Sequence, residues 1–289
     1  MKRREFIQGS TLMAGSLLLP SLWSCSTEQK KRAFGLQLYT LRNIISSDVQ
    51  GTLKQVSEIG YSKLETYSYG DEKIFNIPFD DFVKMAKDLG MEITSGHYSS
   101  GFNSEKKGTL RNDWERAVSD AKKAGQDYMV VPYLEKDERA TIDDYKKICE
   151  LLNKGAEVCK QYGMKMGYHN HEFEFVKIDD QVPYDVMLAE LDPSLVTMEL
   201  DLYWVVRGGY TPQEYFSKYP GRFELWHAKD MNKEDRTKTT SPGLGSIDFK
   251  EIFKHAEHAG MKHYFVEIEN YEVSEYESIK NAVDYLKKL

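Results

Sequence analysis

Three cysteines in a chain of 289 residues cannot build a disulfide framework. Cys149 and Cys159 stand ten positions apart in one helical pattern, about 15 Å along a helix axis, which is too far for a bridge. Both are expected to be buried as small hydrophobes. Long apolar runs are also scarce. The run from Leu12 to Leu22 covers 11 residues, whereas a membrane span needs about 20. No G-x-G-x-x-G follows the first expected strand, and Gly243-Leu244-Gly245 comes late and opens no phosphate-binding helix, which argues against a dinucleotide site. Excess positive charge is missing as well. The formal charge is −7, and removing residues 1–25, which hold three basic side chains and one acidic, takes it to −9. An acidic surface of that size repels phosphate backbones and anionic lipid, so no nucleic-acid partner is expected.

What is present begins with an address. Lys2-Arg3-Arg4-Glu5-Phe6-Ile7 followed by Leu12 to Leu22 has the pattern of a twin-arginine export signal. Leu22-Trp23-Ser24-Cys25 resembles a lipoprotein cleavage box with a bulky Trp23 where a small residue is usual, so Cys25 is a candidate lipid anchor and a plain signal peptide is the alternative. Residues 1–25 are therefore assigned to a signal segment, 26–32 to a polar linker and 33–289 to one folded domain. The expected location is the periplasm, with membrane contact only through Cys25.

From residue 33 onward, short apolar or β-branched runs alternate with helical patterns. Strands are expected at 34–39, 63–66, 92–97, 128–131, 165–169, 195–201, 223–229 and 263–268. Helices are expected at 49–59, 79–89, 114–124, 142–162, 249–259 and 274–286. Glycines at the helix ends, such as Gly60 and Gly125, supply the stop signal. Eight such units in about 255 residues match a closed (β/α)₈ TIM barrel. An open doubly wound sheet is the runner-up.

In such a barrel, residues at the carboxyl ends of the strands project into the mouth, and side chains two apart share a face. Four successive strands end in an ionisable pair at that spacing: His169 and His171, Glu199 and Asp201, His227 and Lys229, Glu267 and Glu269. Glu65 and His97 add two more. Buried without partners, such groups would cost on the order of several kcal/mol each, and a divalent cation is the simplest compensation. Mixed imidazole and carboxylate ligands suit Mn²⁺, Zn²⁺, Co²⁺ or Fe²⁺, with Mg²⁺ ranked below them. One residue from each of the last four strands gives His169, Asp201, His227 and Glu267 as the metal set. Plain salt bridges at the barrel mouth are the bland alternative.

Several segments carry a family resemblance: Gly35-Leu36-Gln37-Leu38-Tyr39-Thr40-Leu41-Arg42, Glu199-Leu200-Asp201-Leu202-Tyr203-Trp204 with Gly208-Gly209, Gly221-Arg222 leading to His227-Ala228-Lys229-Asp230, and Phe265-Val266-Glu267. As an ordered set they resemble the sugar-phosphate isomerase/epimerase branch of the xylose-isomerase-like barrels. That resemblance implies a metal held by Glu, Asp, His and Glu, of which Asp201, His227 and Glu267 match the last three. The first position departs, because His169-Asn170-His171 stands where relatives resemble Glu-Asn-His. It is similar instead to the inosose dehydratase-like and keto-glycoside-cleaving members. The substitution puts simple aldose–ketose isomerisation in question.

The chemistry implied is enolisation of a sugar or keto-sugar. A metal Lewis acid acidifies the C–H beside a carbonyl, Glu267 or Glu269 removes the proton, and His169 or His171 returns it or protonates a leaving oxygen. Lys229 would stabilise charge on the enediolate oxygen. Glu65, His97 and Glu269 are candidates for substrate hydroxyls, and Tyr39, Tyr168, Tyr203 and Trp204 for stacking on a sugar face. Reprotonation gives an isomerase or epimerase; loss of hydroxide or alkoxide gives a dehydratase or lyase. Export favours an unphosphorylated substrate. A non-catalytic sugar-binding lipoprotein on an inherited barrel is the reading from another class, and a trinuclear zinc nuclease ranks last. Homo-oligomerisation is left open.

Overall fold

The computed structural model describes residues 34–289. The expected signal segment, the linker and Cys25 lie outside the described residues. Eight parallel strands, β1 (Phe34–Gln37), β2 (Tyr61–Thr66), β3 (Glu92–His97), β4 (Tyr128–Val131), β5 (Lys165–His169), β6 (Val196–Asp201), β7 (Leu225–Ala228) and β8 (His263–Val266), close into a barrel in chain order. This is the expected TIM barrel, and the open doubly wound sheet is excluded by the pairing of β1 with both β2 and β8.

The described residues form ten α-helices: α1 (Val49–Ile59), α2 (Phe79–Asp88), α3 (Trp114–Ala124), α4 (Ile142–Gln161), α5 (Pro183–Glu190), α6 (Leu202–Arg207), α7 (Pro212–Lys218), α8 (Phe249–Ile252), α9 (Ala256–Ala259) and α10 (Glu275–Leu286). Local chemistry sets their limits. Asp48 accepts the Gly51 N–H at the start of α1, and Thr141 and Asp144 form a capping box at the start of α4. The first strand ends earlier than expected, at Gln37, because the Gln37 side chain accepts the Tyr39 N–H and turns Leu38–Leu41 into a 3₁₀ helix. The expected single helix at 249–259 is split into α8, a 3₁₀ turn at Phe253–His255, and α9. The tightened turn seats Phe253 edge-on against Trp226 and Tyr264.

Most of the apolar core lies between barrel and helices, and Cys149 and Cys159 are buried in it as free thiols. Inside the barrel, Tyr128, Val130, Leu225 and Phe265 form a separate apolar cluster. Gly35 pairs with Phe265 across β1 and β8, and a Cβ at Gly35 would lie 2.5 Å from both the Phe265 ring and the Tyr264 carbonyl oxygen. A bulky ring on one strand thus fills the space that glycine leaves on the next. Directly above this plug, the inner face turns ionisable. Among the described residues no helix is long and apolar enough to cross a membrane.

Two outcomes test this packing. Gly35→Ala forces backbone against a ring with no slack, so it should lose about 1–3 kcal/mol in urea unfolding, as overpacked cores do; an unchanged midpoint would contradict the plug. Burial pushes both the Cys149 and the Cys159 thiols up to about 12. Neither should therefore be alkylated by iodoacetamide near pH 8 in the folded protein, and both should react in denaturant, as read by peptide mass spectrometry.

Candidate metal centre

Strand register brings the site together. Gln37 pairs with Glu65, His169 with Glu199, and Asp201 with His227, so these side chains enter the barrel at neighbouring heights. Glu65, Glu199, Asp201 and His227 are 0% exposed, and His169 only 2%. Ligand atoms of His169, Asp201, His227 and Glu267, the set expected from sequence, lie within 4.8 Å of one another. A second set, His97, His169, Glu199 and His227, meets the same limit and shares both central histidines.

The contacts separate a throat from a mouth. In the throat, His227 Nε2 is 2.6 Å from Glu65 Oε2 and 3.2 Å from Glu199 Oε2. His97 Nε2 is 2.8 Å from Glu199 Oε2 and 3.2 Å from Glu65 Oε2. Gln37 Nε2 donates to Glu65 Oε2 at 2.8 Å. Towards the mouth, His227 Nδ1 is 2.8 Å from Glu267 Oε2, and His169 Nε2 is 3.8 Å from Asp201 Oδ2. Lys229 Nζ lies 3.2 Å from Glu267 Oε2 and 3.5 Å from Asp201 Oδ2, and it is paired closely with Glu269.

Asp201 owes its aim to the element that follows it. It is the N-cap of α6, with Oδ1 accepting the Trp204 N–H at 3.0 Å, which leaves the buried Oδ2 without a hydrogen-bond partner. Asn170 pins the neighbouring strand end, its Oδ1 accepting the Asp201 N–H at 3.1 Å. Glu174, which sequence reasoning missed, accepts the Tyr168 hydroxyl at 2.5 Å and the His171 N–H at 2.8 Å, and so fixes the segment that carries both histidines. Burial pushes its carboxyl up to about 8.

The protonation pattern follows from burial against charge. Burial opposes the cationic forms of His97 and His227, yet the facing carboxylates outweigh it, raising His97 to about 9 and His227 well above the usual range. Burial, reinforced by the neighbouring cations, holds His169 well below that range and His171 down to about 3, so both rings are neutral. Asp201 is pushed up by burial, to about 7. Glu65 and Glu267 are lowered, because adjacent imidazoles, and Lys229 at Glu267, overcome the burial penalty. In this form, protons and Lys229 balance the buried carboxylates.

The donor set fits a divalent ion. Two carboxylates and two imidazoles are what borderline transition ions favour, and the buried Asp201 Oδ2, Glu65 Oε1 and Glu199 Oε1 accept no hydrogen bond.

A cavity of about 440 Å³ opens above the cluster, lined by Tyr39, His97, His169, His171, Glu267 and Glu269, together with Tyr67, Ser68, Tyr69, Ser99, Ser100, Phe102, Lys106, Tyr133 and Glu135. Tyr39 thus sits where a stacking residue should. Trp204 instead packs on the His171 ring, 5.2 Å between centroids. Two expected placements differ. Glu65 lies under the floor rather than at substrate hydroxyls, held by Gln37 and His227. Tyr168 and Tyr203 are buried, with hydroxyls on Glu174 and the Arg236 carbonyl, so neither faces a sugar. Asp230 turns away from Lys229 and accepts the N–H groups of Met231, Gly243, Gly245 and Ile247. The backbone of Gly243-Leu244-Gly245 therefore binds an internal carboxylate rather than a phosphate. Gln37 carries the signal that would have found it, since it stands two residues before Tyr39 at a strand end.

Comparison with known proteins follows the geometry. The family model described as xylose isomerase-like TIM barrel matches residues 53–289. An inosose dehydratase from Geobacillus kaustophilus is 29% identical over 132 residues, 40% of this chain and 42% of that protein, so the chain spans about two fifths of the length of that curated relative. A crystal structure of a sugar phosphate isomerase/epimerase from Parabacteroides distasonis superposes with a TM-score of 0.78 at 31% identity, covering 89% of this chain and 98% of the other. The IolI protein, solved with a bound zinc atom, shares the fold at a TM-score of 0.67 and 15% identity, covering 89% of this chain and 97% of that one.

Because Asp201 must lose its proton, and His227 one of its two, before a cation can bind, ion loading should release protons. The expected outcome is an affinity for Zn²⁺ that climbs as pH rises through about 7, with calorimetry in buffers of different ionisation enthalpy counting the protons; a flat profile from about pH 6 to 8 would refute the proton pattern.

Proposed function

The chain belongs to the xylose isomerase-like TIM barrel family, and on that premise we propose that it is a divalent-metal-dependent enzyme that removes the proton beside the carbonyl of a keto-sugar or keto-polyol. The observation that carries this reading is the convergence of His169, Asp201, His227 and Glu267 within 4.8 Å, next to the Lys229–Glu269 pair on the floor of an open cavity. A divalent ion held by those four residues supplies a Lewis acid that polarises the substrate carbonyl. Mn²⁺, Zn²⁺, Co²⁺ and Fe²⁺ all suit the donor set.

The chain's own groups divide the remaining work. Glu267 is held ionised by Lys229 and His227 and is occupied by both, which makes it a ligand rather than a base. Glu269 lines the cavity and is half-buried, so it is the carboxylate placed to take the proton. Lys229 is cationic and 1% exposed, and in a low-dielectric site it offsets negative charge on the enolate oxygen of the substrate. His171 is neutral and lines the cavity with a partnerless Nδ1, ready to hydrogen-bond a substrate hydroxyl.

Elimination of a β-substituent is favoured over epimerisation by one feature. Epimerisation through a single carbon needs a proton-transferring group on each face. Glu269 serves one side, while the histidines at 169 and 171 are both held far below the range in which they carry a proton. A dehydratase or lyase outcome needs only the first face, where the proton that Glu269 takes can pass to the departing oxygen, and the inosose dehydratases among the relatives support it. Export through residues 1–25 stays part of the proposal and makes an unphosphorylated substrate the expected one.

Two measurements test the assignment together. The purified protein should contain about one transition-metal ion per chain by elemental analysis. In D₂O, NMR over a panel of keto-sugars, keto-polyols and 3-keto-glycosides should show deuterium entering, or a β-substituent leaving, at the carbon beside the carbonyl. Glu269→Gln should slow that exchange by about 100-fold or more, with the metal content kept. Exchange that survives in this variant would remove Glu269 as the base, and a metal-free wild-type protein would remove the whole reading.

A further inference from the structure

The two overlapping ligand sets pose a choice that the ring nitrogens resolve. His227 presents Nε2 to Glu65 and Glu199 in the throat and Nδ1 to Glu267 and Asp201 at the mouth. His169 does the same with its nitrogens exchanged: Nδ1 lies 3.2 Å from Glu199 Oε2 and Nε2 faces Asp201 Oδ2. A neutral imidazole has one N–H and one lone pair. Filling both sets with ions would strip each shared ring of its only N–H, so one set holds a cation and the other holds protons.

Building on the metal-dependent reading above, we infer that Glu65 is a positioning residue that fixes His227 as the Nε2–H tautomer, so that the ion sits on the mouth side and the throat never takes a second one. Three observations select the mouth. Glu65 Oε2 already accepts from Gln37 Nε2, and the Gln37 amide cannot turn over because its Oε1 accepts the Tyr39 N–H at 2.9 Å. A cation beside Glu65 Oε2 would therefore meet an N–H₂ group. His97, wedged between Glu65 and Glu199, brings a further N–H into the same space. At the mouth, by contrast, the buried Asp201 Oδ2 accepts no hydrogen bond. The one cation there, Lys229, is a flexible chain already tied to Glu269, so it can withdraw towards that partner.

Carboxylates that accept the second N–H of a ligand histidine fix its tautomer and raise its basicity, and losing one typically costs about 10–100-fold in metal affinity. Glu65 thereby acts through His227 without touching substrate. The partnerless Glu65 Oε1 and Glu199 Oε1 are the atoms that a second ion would use, so stoichiometry tests the inference directly.

The experiment uses the full chain, labelled with ¹⁵N at its seven histidines and loaded with Zn²⁺, which is diamagnetic. Long-range ¹H–¹⁵N correlation should find the proton of His227 on Nε2, at one Zn²⁺ per chain. Glu65→Gln keeps the volume but offers an amide that either accepts or donates. It should lower Zn²⁺ affinity by about 10–100-fold and mix the His227 tautomers. Two ions per chain, zinc on His227 Nε2, or an affinity loss that leaves the His227 tautomer unaltered would each overturn the inference and leave the proposed function standing. A wild-type protein that binds no Zn²⁺ would overturn both.

Discussion

Four carboxyl groups, Glu65, Glu199, Asp201 and Glu267, come from the ends of three barrel strands and are no more than 5% exposed. Removing that much negative charge from water costs several kcal/mol per ion unless positive charge and hydrogen-bond donors come with it. Much of the inner architecture follows from this constraint. Two imidazoles are driven to hold protons, and a lysine is buried at 1% exposure only because three carboxylates surround it. An amide is locked with its donor end inward. The site is thus a cation trap whose vacancies are partly filled by protons, which is why a metal ion and a change of pH compete for the same atoms.

The scaffold makes the trap possible by keeping it dry below and anchored at the rim. The plug of Tyr128, Val130, Leu225 and Phe265 lies beneath the throat, so the lower boundary of the charged layer is largely apolar. At the rim, one carboxylate oxygen of Asp201 is spent on the first turn of α6, which leaves the other oriented rather than free to rotate. Beside it, Asp230 gathers four N–H groups of the loop after β7, and that loop needs glycine at 245, because a Cβ there would lie 2.3 Å from the Asp230 carboxylate. The long loop is held by an internal anion, and Lys229 is left to face the mouth.

Much of this was legible in the chain. Period-two alternation places His169, Asp201, His227 and Glu267 at strand ends, and parallel closure of eight strands makes them converge. Helix limits at Val49–Ile59 and Trp114–Ala124 agree with the pattern because caps and terminal glycines mark them. Three helices escaped the periodicity. The apolar run Leu202 to Val206 looks like strand until Asp201 is recognised as a cap. Thr211-Pro212-Gln213-Glu214 is a capping box with proline in the first turn, and its helix was missed only because it is two turns long. The role of Glu65 was illegible for a different reason. A strand-end glutamate faces inward whether it meets a substrate or a histidine, and only the three-dimensional positions of Gln37 and His227 decide. The cavity walls from Tyr67 to Tyr69, Ser99 to Phe102, and Tyr133 to Glu135 lie on loops, whose paths alternation does not describe.

Histidine at position 169 has the largest consequence for chemistry. The resemblance implies a carboxylate there, which with Asp201, His227 and Glu267 would give three negative charges and over-neutralise a divalent ion. With His169 the set would carry two, which balances a divalent ion and would leave it a stronger Lewis acid than three carboxylates would. The same change removes a base from one face of the substrate and replaces it with a ring too strongly desolvated to carry a proton. Under the proposed function, stronger polarisation and one-sided proton transfer would both favour departure of a β-substituent over return of the proton from the opposite face. Glu199, 3.2 Å from His169 Nδ1, compensates from behind by supplying negative charge to the ring without touching the ion. The carboxylate absent from residue 169 is in effect displaced one layer inward, where it serves orientation in place of acid–base transfer.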